Sequence, residues 1–172
     1  VEARLPGDLF VVFSVFEEKG GWGMMHLMNT IGVRPGVVVL AEATGCDLCT
    51  GHRGHAELAV EIHGVAAHAS APDRGRNPSA VLPHVLLALG ELSAAQPRHP
   101  VLGLATLTPT VIETWPKSGN VIPDRIRITL DMRVLPGWEE RRAVTQIEAV
   151  LAERVPRVEG IRVEVHPGRA TH

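Results

Sequence analysis

The sequence is poor in aromatic residues, and this shortage limits what its core can be made of. It contains no tyrosine, and aromatic residues make up 3% of its 172 residues. A hydrophobic core must therefore rest on valine, leucine, isoleucine and alanine. The hydrophobic share of 45% is sufficient for such a core, and the charged share of 21% keeps the surface polar.

The sequence also lacks a basic stripe and a long apolar run. Its formal net charge is −2, and its lysines and arginines are scattered along the chain. Nucleic acid is therefore not an expected partner, because phosphate binding needs a concentrated basic face. We find no apolar run long enough to span a bilayer and no signal segment. We accordingly expect no membrane partner and a cytoplasmic protein.

Cysteine is limited to the single pair Cys46 and Cys49, in a CxxC pattern. On paper, His52 and His55 could complete a zinc set with them. That spacing is too compressed for a zinc finger, and a thioredoxin-like site expects a helix after its CxxC. Ordinary reduced loop cysteines are the favoured interpretation.

The first fifty residues read as one strand–helix–strand unit. Asp8–Phe16 and Val37–Leu40 are apolar runs typical of strands buried on both faces, and Met24–Ile31 has apolar residues at helical spacing. The pattern predicts a βαβ unit of an α/β domain, too short to be a domain alone. The chain opens at Val1 without an initiator methionine and stops at His172, so both ends are expected to be cuts.

From Gly51 onward the pattern changes to half-exposed strands and amphipathic helices. Alternation at Leu58, Val60 and Ile62 indicates a strand of an antiparallel sheet. The later elements are predicted as a helix after Asn77-Pro78, strands at Leu104–Glu113 and Arg125–Val134, a helix at Trp138–Val155, and a strand at Ile161–Val165. This order, β-α-β-β-α-β, is the ferredoxin-like α+β arrangement.

Three carboxylates follow the predicted buried strands. Glu17 and Glu18 come after the first strand, and Glu42 follows the second. Side chains at the carboxyl ends of neighbouring parallel strands meet at one edge of the sheet. Three carboxylates there favour a divalent metal as counterion. Acidic residues are also common at helix N-termini because of the helix dipole, so that interpretation stays open for the Glu17-Glu18 pair.

Four segments together resemble a known enzyme family. They are VVFSVFEEKGGWGM, VVVLAEATG, GHRGHAELAVEIHGVAAHASAPDRGRNP and SGNVIPDRIRITLDMRVLPG. Their order and spacing resemble the two-zinc amidohydrolases that include acetylornithine deacetylase, succinyl-diaminopimelate desuccinylase and carboxypeptidase G. The resemblance covers nearly the whole chain. It implies that residues 1–50 are part of a catalytic domain, residues 51–167 a lid or dimerisation domain that forms a homodimer, and residues 168–172 the return to the catalytic domain.

The resemblance also implies roles for individual residues. Glu17 resembles the general base, and Glu18 and Glu42 resemble zinc ligands, with Ala43 in place of the usual proline. His68 resembles the lid histidine that reaches an active site across the dimer and helps to hold the oxyanion. A lone loop histidine is otherwise most often solvated surface.

Three further residues resemble substrate contacts of the family. Asn120 resembles a residue that touches the substrate, and Arg133 and Arg53 resemble guanidinium groups near the substrate carboxylate. The ordinary alternatives are a turn residue for Asn120 and surface charge for the two arginines, which for Arg53 is about equally plausible.

The family's other metal ligands find no counterpart in the sequence. These are an upstream His-x-Asp, a later bridging Asp and a histidine near the C-terminus. The remaining histidines lack ligand spacing and are interpreted as structural or exposed; they are His26, His63, His84, His99 and His166. We therefore expect this chain by itself to be inactive.

For the intact parent, the resemblance implies metal-dependent hydrolysis of an amide bond. The substrate would be a small N-acyl amino acid or dipeptide, and the cofactor two zinc ions, or cobalt or manganese in their place. A dipeptidase or carboxypeptidase of the same superfamily is the alternative within enzymes. A non-catalytic dimerisation module is the alternative outside them.

Overall fold

The computed structural model describes the backbone of residues 7–171, together with the side chains of residues 7–18 and 20–168. It divides into two compact units, with the boundary between Leu48 and Cys49.

The first unit contains short helical turns. A 3-10 turn at Glu17–Lys19 precedes helix α1 (Trp22–His26), which continues as a π-helical turn at Leu27–Ile31. The helical segment ends at Gly32, which has a φ of 82° and donates its N–H to the carbonyl oxygen of Leu27 at 3.1 Å. A glycine in this left-handed conformation is a common helix terminator. The predicted helix at Met24–Ile31 is thus present, with its second half widened into the π form.

The two strands predicted in this unit are wrong. Asp8–Phe16 and Val37–Leu40 belong to no strand, and their apolar side chains are exposed, with Phe13 at 93% and Val39 at 87%. A strand needs a partner for its backbone N–H and C=O groups. Within residues 7–171 neither segment pairs with another strand, so the hydrophobic runs are not organised into a sheet.

The second unit contains eight strands and two helices. The strands are β1 (Gly54–His63), β2 (Ala67–His68), β3 (Arg98–His99), β4 (Gly103–Leu104), β5 (Thr106–Trp115), β6 (Val121–Ile122), β7 (Arg125–Val134) and β8 (Arg162–Thr171). The helices are α2 (Leu82–Ala94) and α3 (Glu140–Arg154). The four long strands form one antiparallel sheet in the order β5-β7-β1-β8. The short strands pair as β2 with β6 and β3 with β4.

The core lies between one face of the four-stranded sheet and the two helices. Alternate residues of β1 and β7 are fully buried, as shown by the 0% exposure of Leu58, Ile62 and Ile128. Helix α2 contributes Leu89 and helix α3 contributes Ile147, each at 1% exposure. The alternating burial of β7 follows from the period of two in a strand, because successive side chains point to opposite faces, whereas at the centre of β1 residues of both faces are buried. The other face of the sheet therefore carries the polar residues.

The start of α2 follows the predicted capping signal. The Oδ1 atom of Asn77 accepts a hydrogen bond from the N–H of Ser79 at 3.0 Å, and Pro78 begins a 3-10 turn that leads into the helix. Pro83 is the second residue of α2. Its missing N–H costs no hydrogen bond there, because the first helical N–H groups have no partner within the helix. Among the described residues, none of the helices is both long and apolar enough to cross a membrane.

Candidate functional site

The polar face of the four-stranded sheet carries a compact group of charged residues from three strands. The alternation that buries Ile62 places Glu61 and His63 of β1 on this face. In the strand register, Glu61 lies opposite Arg127 of β7 on one side and Glu164 of β8 on the other. The pairing of β1 with β8 therefore sets two carboxylates directly beside each other.

Two histidines complete this group. The Nε2 atom of His63 lies 3.3 Å from Oε2 of Glu61 and 3.2 Å from Oε2 of Glu164. The Nε2 atom of His166 lies 3.7 Å and 3.6 Å from the same two oxygens. We call Glu61, His63, Glu164 and His166 the sheet cluster.

Arginines hold the outer oxygens of both carboxylates. Arg127 donates from Nη1 to Oε1 of Glu61 at 2.8 Å, and Nε of Arg162 lies 2.8 Å from Oε1 of Glu164. Charge-assisted bonds of this kind fix the orientation of a carboxylate. The Oε2 atoms are thereby turned toward the histidines.

The charges around Glu61 keep its carboxyl ionised. The residue is 8% exposed, and this burial by itself raises the pKa. The hydrogen bond from Arg127 and the electrostatic interactions with His166, Arg125 and Arg127 act in the opposite direction and outweigh it, so the pKa of Glu61 lies below its ordinary value of 4.5. Glu61 is therefore a carboxylate at neutral pH.

Both histidine nitrogens that face the carboxylates lack a hydrogen bond. Nε2 of His63 and Nε2 of His166 are buried atoms without a partner of acceptable geometry. Buried polar atoms are nearly always satisfied, so such an exception calls for a physical explanation. The interpretation of these two histidines as structural or exposed overlooked that the fold brings them together.

A faint signal of the sheet cluster is present in the sequence. Glu-x-His occurs twice, as Glu61-Ile62-His63 and as Glu164-Val165-His166. The spacing puts both side chains of each motif on one face of a strand. Only the antiparallel pairing of β1 with β8 shows that the two motifs meet.

His68 and Asn120 are brought together by a second, short sheet. In the pairing of β2 with β6, His68 lies opposite Val121, the residue after Asn120. The next residue, Ala69, donates its N–H to the carbonyl oxygen of Asn120 at 2.9 Å. Two of the residues predicted from the family resemblance are thus neighbours in the structure.

Local hydrogen bonds determine the tautomer of His68. Its Nδ1 accepts a hydrogen bond from the backbone N–H of Ser70 at 3.2 Å and lies 2.7 Å from the Ser70 hydroxyl oxygen. Because a backbone N–H can only donate, the neutral ring carries its proton on Nε2. The side chain is exposed. His68 therefore offers an Nε2–H donor to a group that binds beside it.

Arg133 and Arg53 already have partners within the second unit. Arg133 donates from Nε and Nη2 to the carboxylate of Asp131 at 3.0 Å and 3.3 Å, and His55 contacts the same carboxylate at 2.9 Å. Arg53 donates from Nη1 to the carbonyl oxygen of Leu104 at 2.6 Å. Arg133 is nevertheless exposed on the polar face of the sheet, so part of its guanidinium stays accessible.

The structure does not bring these arginines to His68 and Asn120. In the β1–β7 register, Arg133 pairs with His55, whereas Arg125 pairs with His63 at the end of the sheet that leads to His68. Arg125 and Arg133 are eight residues apart on β7, about 27 Å at the rise of a strand. The predicted substrate residues therefore lie toward opposite ends of the sheet.

The predicted catalytic and metal-binding carboxylates are in the first unit. Glu17 and Glu18 lie in the exposed 3-10 turn, and Glu42 lies outside any helix or strand, exposed. Among the described side chains, the one group of three or more candidate ligands comprises Glu61, His63 and His166 of the sheet cluster. Glu17, Glu18 and Glu42 do not form such a group.

The cysteine pair does not assemble a metal site either. Cys46 and Cys49 are free thiols, and both are exposed. Among the described side chains, they do not form a group of three or more candidate ligands with His52 and His55.

Comparison with protein families identifies the second unit. The pattern of the family described as "Peptidase dimerisation domain" matches residues 50–159. The match contains β1 to β7 and both long helices, together with His68, Asn120 and Arg133.

Several curated proteins are similar over most of the chain. The YgeY protein of Escherichia coli is 32% identical over 145 residues, which are 84% of this chain and 36% of that protein. A metallohydrolase of Methanocaldococcus jannaschii is 30% identical over 75% of this chain and 36% of its own length. The acetylornithine deacetylase of Buchnera aphidicola is 23% identical over 88% of this chain and 40% of its own length. The chain thus spans well under half of the curated relatives it matches.

Solved structures agree on the fold. A hydantoinase/carbamoylase family amidase from Burkholderia ambifaria superposes with a TM-score of 0.50 over 70% of this chain and 29% of that chain, at 24% identity. At this identity the similarity concerns the fold alone.

Proposed function

Since the chain belongs to the peptidase dimerisation domain family, we propose that residues 51–167 are the lid and dimerisation domain of a metal-dependent amide hydrolase and that residues 1–50 belong to its catalytic domain. The observation that carries the proposal is the β2–β6 pairing, which holds His68 beside Asn120 within the matched residues. The substrate is a small N-acyl amino acid or a dipeptide, and the enzyme acts as a homodimer through this domain.

Two ligands of the proposed catalytic metal site come from this chain. Carboxylates such as those of Glu18 and Glu42 suit zinc, and metal ions in such hydrolases polarise the scissile carbonyl and activate water. Within residues 7–171, no third ligand gathers beside these two side chains. The described residues thus do not form the two-zinc site by themselves, and Glu18 and Glu42 stand as two members of a larger set.

Glu17 acts as the general base and then as the general acid in the proposed reaction. It is an exposed carboxylate in the turn directly before Glu18. A carboxylate there accepts a proton from the attacking water and passes it to the amine that leaves. Because neighbouring residues in a turn point in different directions, Glu17 and Glu18 can divide proton transfer and metal binding between them.

His68 stabilises the negative charge that develops on the substrate. Its tautomer leaves a proton on Nε2, so the neutral ring is a hydrogen-bond donor without any change of protonation. A donor aimed at the oxyanion of a tetrahedral intermediate lowers the barrier of acyl transfer. Asn120 contacts the substrate from the turn before β6, and its backbone carbonyl oxygen already accepts the hydrogen bond from Ala69.

Arg133 binds the substrate carboxylate. The guanidinium is planar and can hold a carboxylate through two parallel hydrogen bonds. Its pairing with Asp131 fixes the orientation of one side of the group. Arg53, which donates to the backbone at Leu104, supports the same end of the sheet.

The distance between these groups supports a dimeric arrangement. About 27 Å of strand separates Arg133 from the end of the sheet that leads to His68. A small N-acyl amino acid cannot bridge that distance. One lid therefore serves two active sites, and His68 and Asn120 reach that of the partner subunit.

Complementation between inactive variants tests this arrangement. The activity of full-length Glu17→Gln enzyme and that of full-length His68→Ala enzyme are measured separately. The activity of their mixture is then measured under conditions that allow subunit exchange. The mixed dimer contains one site with an intact Glu17 and an intact His68 from the partner, so activity should return in the mixture. If exchange is demonstrated and no activity returns, His68 does not act across the dimer.

A second mixture is the matched control. When Glu17→Gln is combined with Arg133→Ala, every site of the mixed dimer lacks one of the two groups if Arg133 acts in its own subunit. Activity should then stay absent. Recovery in this mixture would assign Arg133 to the partner's site.

A further inference from the structure

Three side chains of the sheet cluster, those of Glu61, His63 and His166, have the spacing of metal ligands, and the carboxylate of Glu164 lies beside both histidines. The distances from each histidine Nε2 to each carboxylate Oε2 are 3.2, 3.3, 3.6 and 3.7 Å. Zinc binds nitrogen and oxygen ligands at about 2.0–2.1 Å with tetrahedral geometry, which puts neighbouring ligand atoms about 3.3–3.4 Å apart. These four distances lie close to this value, and the ligand atoms of Glu61, His63 and His166 all lie within 4.8 Å of one another.

The electrostatics of the cluster also favour a cation. Glu61 and Glu164 are directly opposite in the β1–β8 register, and like charges in that position repel each other. Each carboxylate is held by an arginine at Oε1, which leaves its Oε2 directed at the histidines. A divalent cation between the Oε2 atoms would neutralise this repulsion.

The unsatisfied histidine nitrogens are an independent observation. Nε2 of His63 and Nε2 of His166 are buried and make no hydrogen bond. A neutral imidazole with its proton on Nδ1 presents a lone pair at Nε2, which is the usual form of a metal ligand. One metal ion would satisfy both nitrogens together with both carboxylate oxygens.

From these observations we propose that Glu61, His63, Glu164 and His166 form a zinc site on the polar face of the sheet. Two imidazoles and two carboxylates in a tetrahedral arrangement suit zinc, whereas magnesium and calcium prefer six or more oxygen ligands. With Glu164 turned to the ion as the fourth ligand, the protein would fill all four positions, so the site is structural and leaves no position for a substrate. It joins the edge strand β8 to β1.

This site shares no residue with the proposed catalytic and substrate-binding set. It shares no ligand with Glu18 and Glu42. On β7, Arg127 beside the cluster is six residues from Arg133, about 20 Å along the strand. The zinc site can therefore be tested without reference to catalytic activity, and its failure would leave the proposed function unaffected.

Cobalt and zinc titrations of the 172-residue chain test the proposal. The chain is prepared without a histidine tag, stripped with a chelator, and carries Cys46→Ser and Cys49→Ser so that the cysteine pair cannot bind. We expect one zinc per chain by calorimetry. We also expect the intense visible absorption of tetrahedral cobalt when Co²⁺ is the probe.

Variants of the ligands and of a remote histidine identify the site. His166→Gln should weaken zinc binding by more than the roughly 10–100-fold that loss of an outer-shell partner costs. His84→Gln is the matched control. His84 is an exposed residue of α2, and this helix packs on the face of the sheet opposite to the polar face that carries the cluster. This variant should bind zinc as the parent does, and so should Glu18→Gln combined with Glu42→Gln.

Circular dichroism shows whether each variant is folded. If His166→Gln is unfolded, Glu164→Gln on the edge strand replaces it, because that side chain is 36% exposed. Equal zinc affinity in a folded ligand variant and in the parent would overturn the proposal. Failure of the folded parent to bind one zinc per chain at micromolar metal, or an octahedral cobalt spectrum, would overturn it as well.

Discussion

The backbone N–H of Ala69 donates to the carbonyl oxygen of Asn120 at 2.9 Å, which extends the β2–β6 pairing by one hydrogen bond beyond His68. The loop that carries His68 is further held by the bridge between Val65 and Arg76. These bonds give His68 and Asn120 a defined relative position although 52 residues separate them in the sequence.

Gly64 is required for the close approach of the loop to the end of β1. A Cβ atom at this position would overlap the carbonyl oxygen of Arg76 and lie 2.8 Å from Cδ of Pro78. Gly64→Ala should therefore destabilise the chain by about 1–3 kcal/mol, the usual cost of forced overpacking. Urea unfolding of the whole chain measures this change in free energy.

Gly90 provides the matched control in α2. No atom lies within 4 Å of a Cβ built there, and alanine is favoured over glycine inside a helix by about 0.8–1.0 kcal/mol. Gly90→Ala should accordingly stabilise the chain. An equal effect of the two substitutions would contradict the close approach at Gly64.

Replacement by alanine should destabilise the chain much more at Leu89 than at Leu87, although both residues are in α2. Leu89 is 1% exposed, and its replacement by alanine should cost about 2–5 kcal/mol, because the side chain leaves a cavity between helix and sheet. Leu87 is 68% exposed, so Leu87→Ala should change stability by no more than about 0.5 kcal/mol. Comparable losses in urea unfolding would mean that α2 packs through a different face.

Glu61 should stabilise the metal-free chain in a pH-dependent manner. Its pKa in the folded state is below the ordinary value of 4.5, chiefly through Arg127 acting against burial. The stabilisation is therefore fully present above about pH 4.5 and is lost as the pH falls through the lower folded-state pKa. Glu61→Gln should lower the free energy of unfolding by about 1.5–3 kcal/mol near pH 7, because the charge-assisted hydrogen bond to Arg127 is lost.

The difference in the free energy of unfolding between Glu61→Gln and its parent should become smaller as the pH falls into the acid range. Both proteins are compared in a chelating buffer by urea unfolding at several pH values. A difference that stays constant from pH 7 down to acid conditions would show that the ionised carboxyl group does not contribute.

Glu17 and Glu18 should have separable effects in the full-length parent. Glu17→Gln should lower kcat by roughly 10²–10⁴-fold while the zinc content is retained, because it removes a base and not a ligand. Glu18→Gln should lower the zinc content together with the activity. Zinc analysis beside steady-state kinetics distinguishes the two. Loss of metal in Glu17→Gln would reassign that residue as a ligand.

The second unit should fold without the first. Every fully buried hydrophobic residue among those described lies between Ala56 and Leu151, and the two units divide at Leu48. A piece comprising residues 49–172 should therefore unfold cooperatively in urea at the same midpoint as the whole chain. A molten or non-cooperative piece would show that the first unit is needed for the core.

Local periodicity predicted most of the second unit. The alternation of Ile126, Ile128 and Leu130 predicted a strand at Arg125–Val134, which is the observed extent of β7. The helical stripe predicted at Trp138–Val155 is observed as α3 at Glu140–Arg154. These elements were predictable because residues that alternate or recur every three to four positions reveal the buried face without knowledge of the partner.

The same reasoning failed in the first unit. An apolar run such as Asp8–Phe16 indicates a segment suited to burial, but it does not contain the strand that would pair with it. A strand forms only when a second segment satisfies its backbone groups. In the described part of the chain that partner is not found, and the side chains stay exposed.

The sequence by itself determined which residue types were available: the carboxylates of Glu17, Glu18 and Glu42, the family-like His68 and Asn120, and two Glu-x-His motifs. Tertiary structure alone decided which of them meet. The β2–β6 pairing places His68 beside Asn120, and the β1–β8 register places Glu61 opposite Glu164. The physical reason is that periodicity is a local property of the chain, whereas strand register depends on segments far apart in sequence.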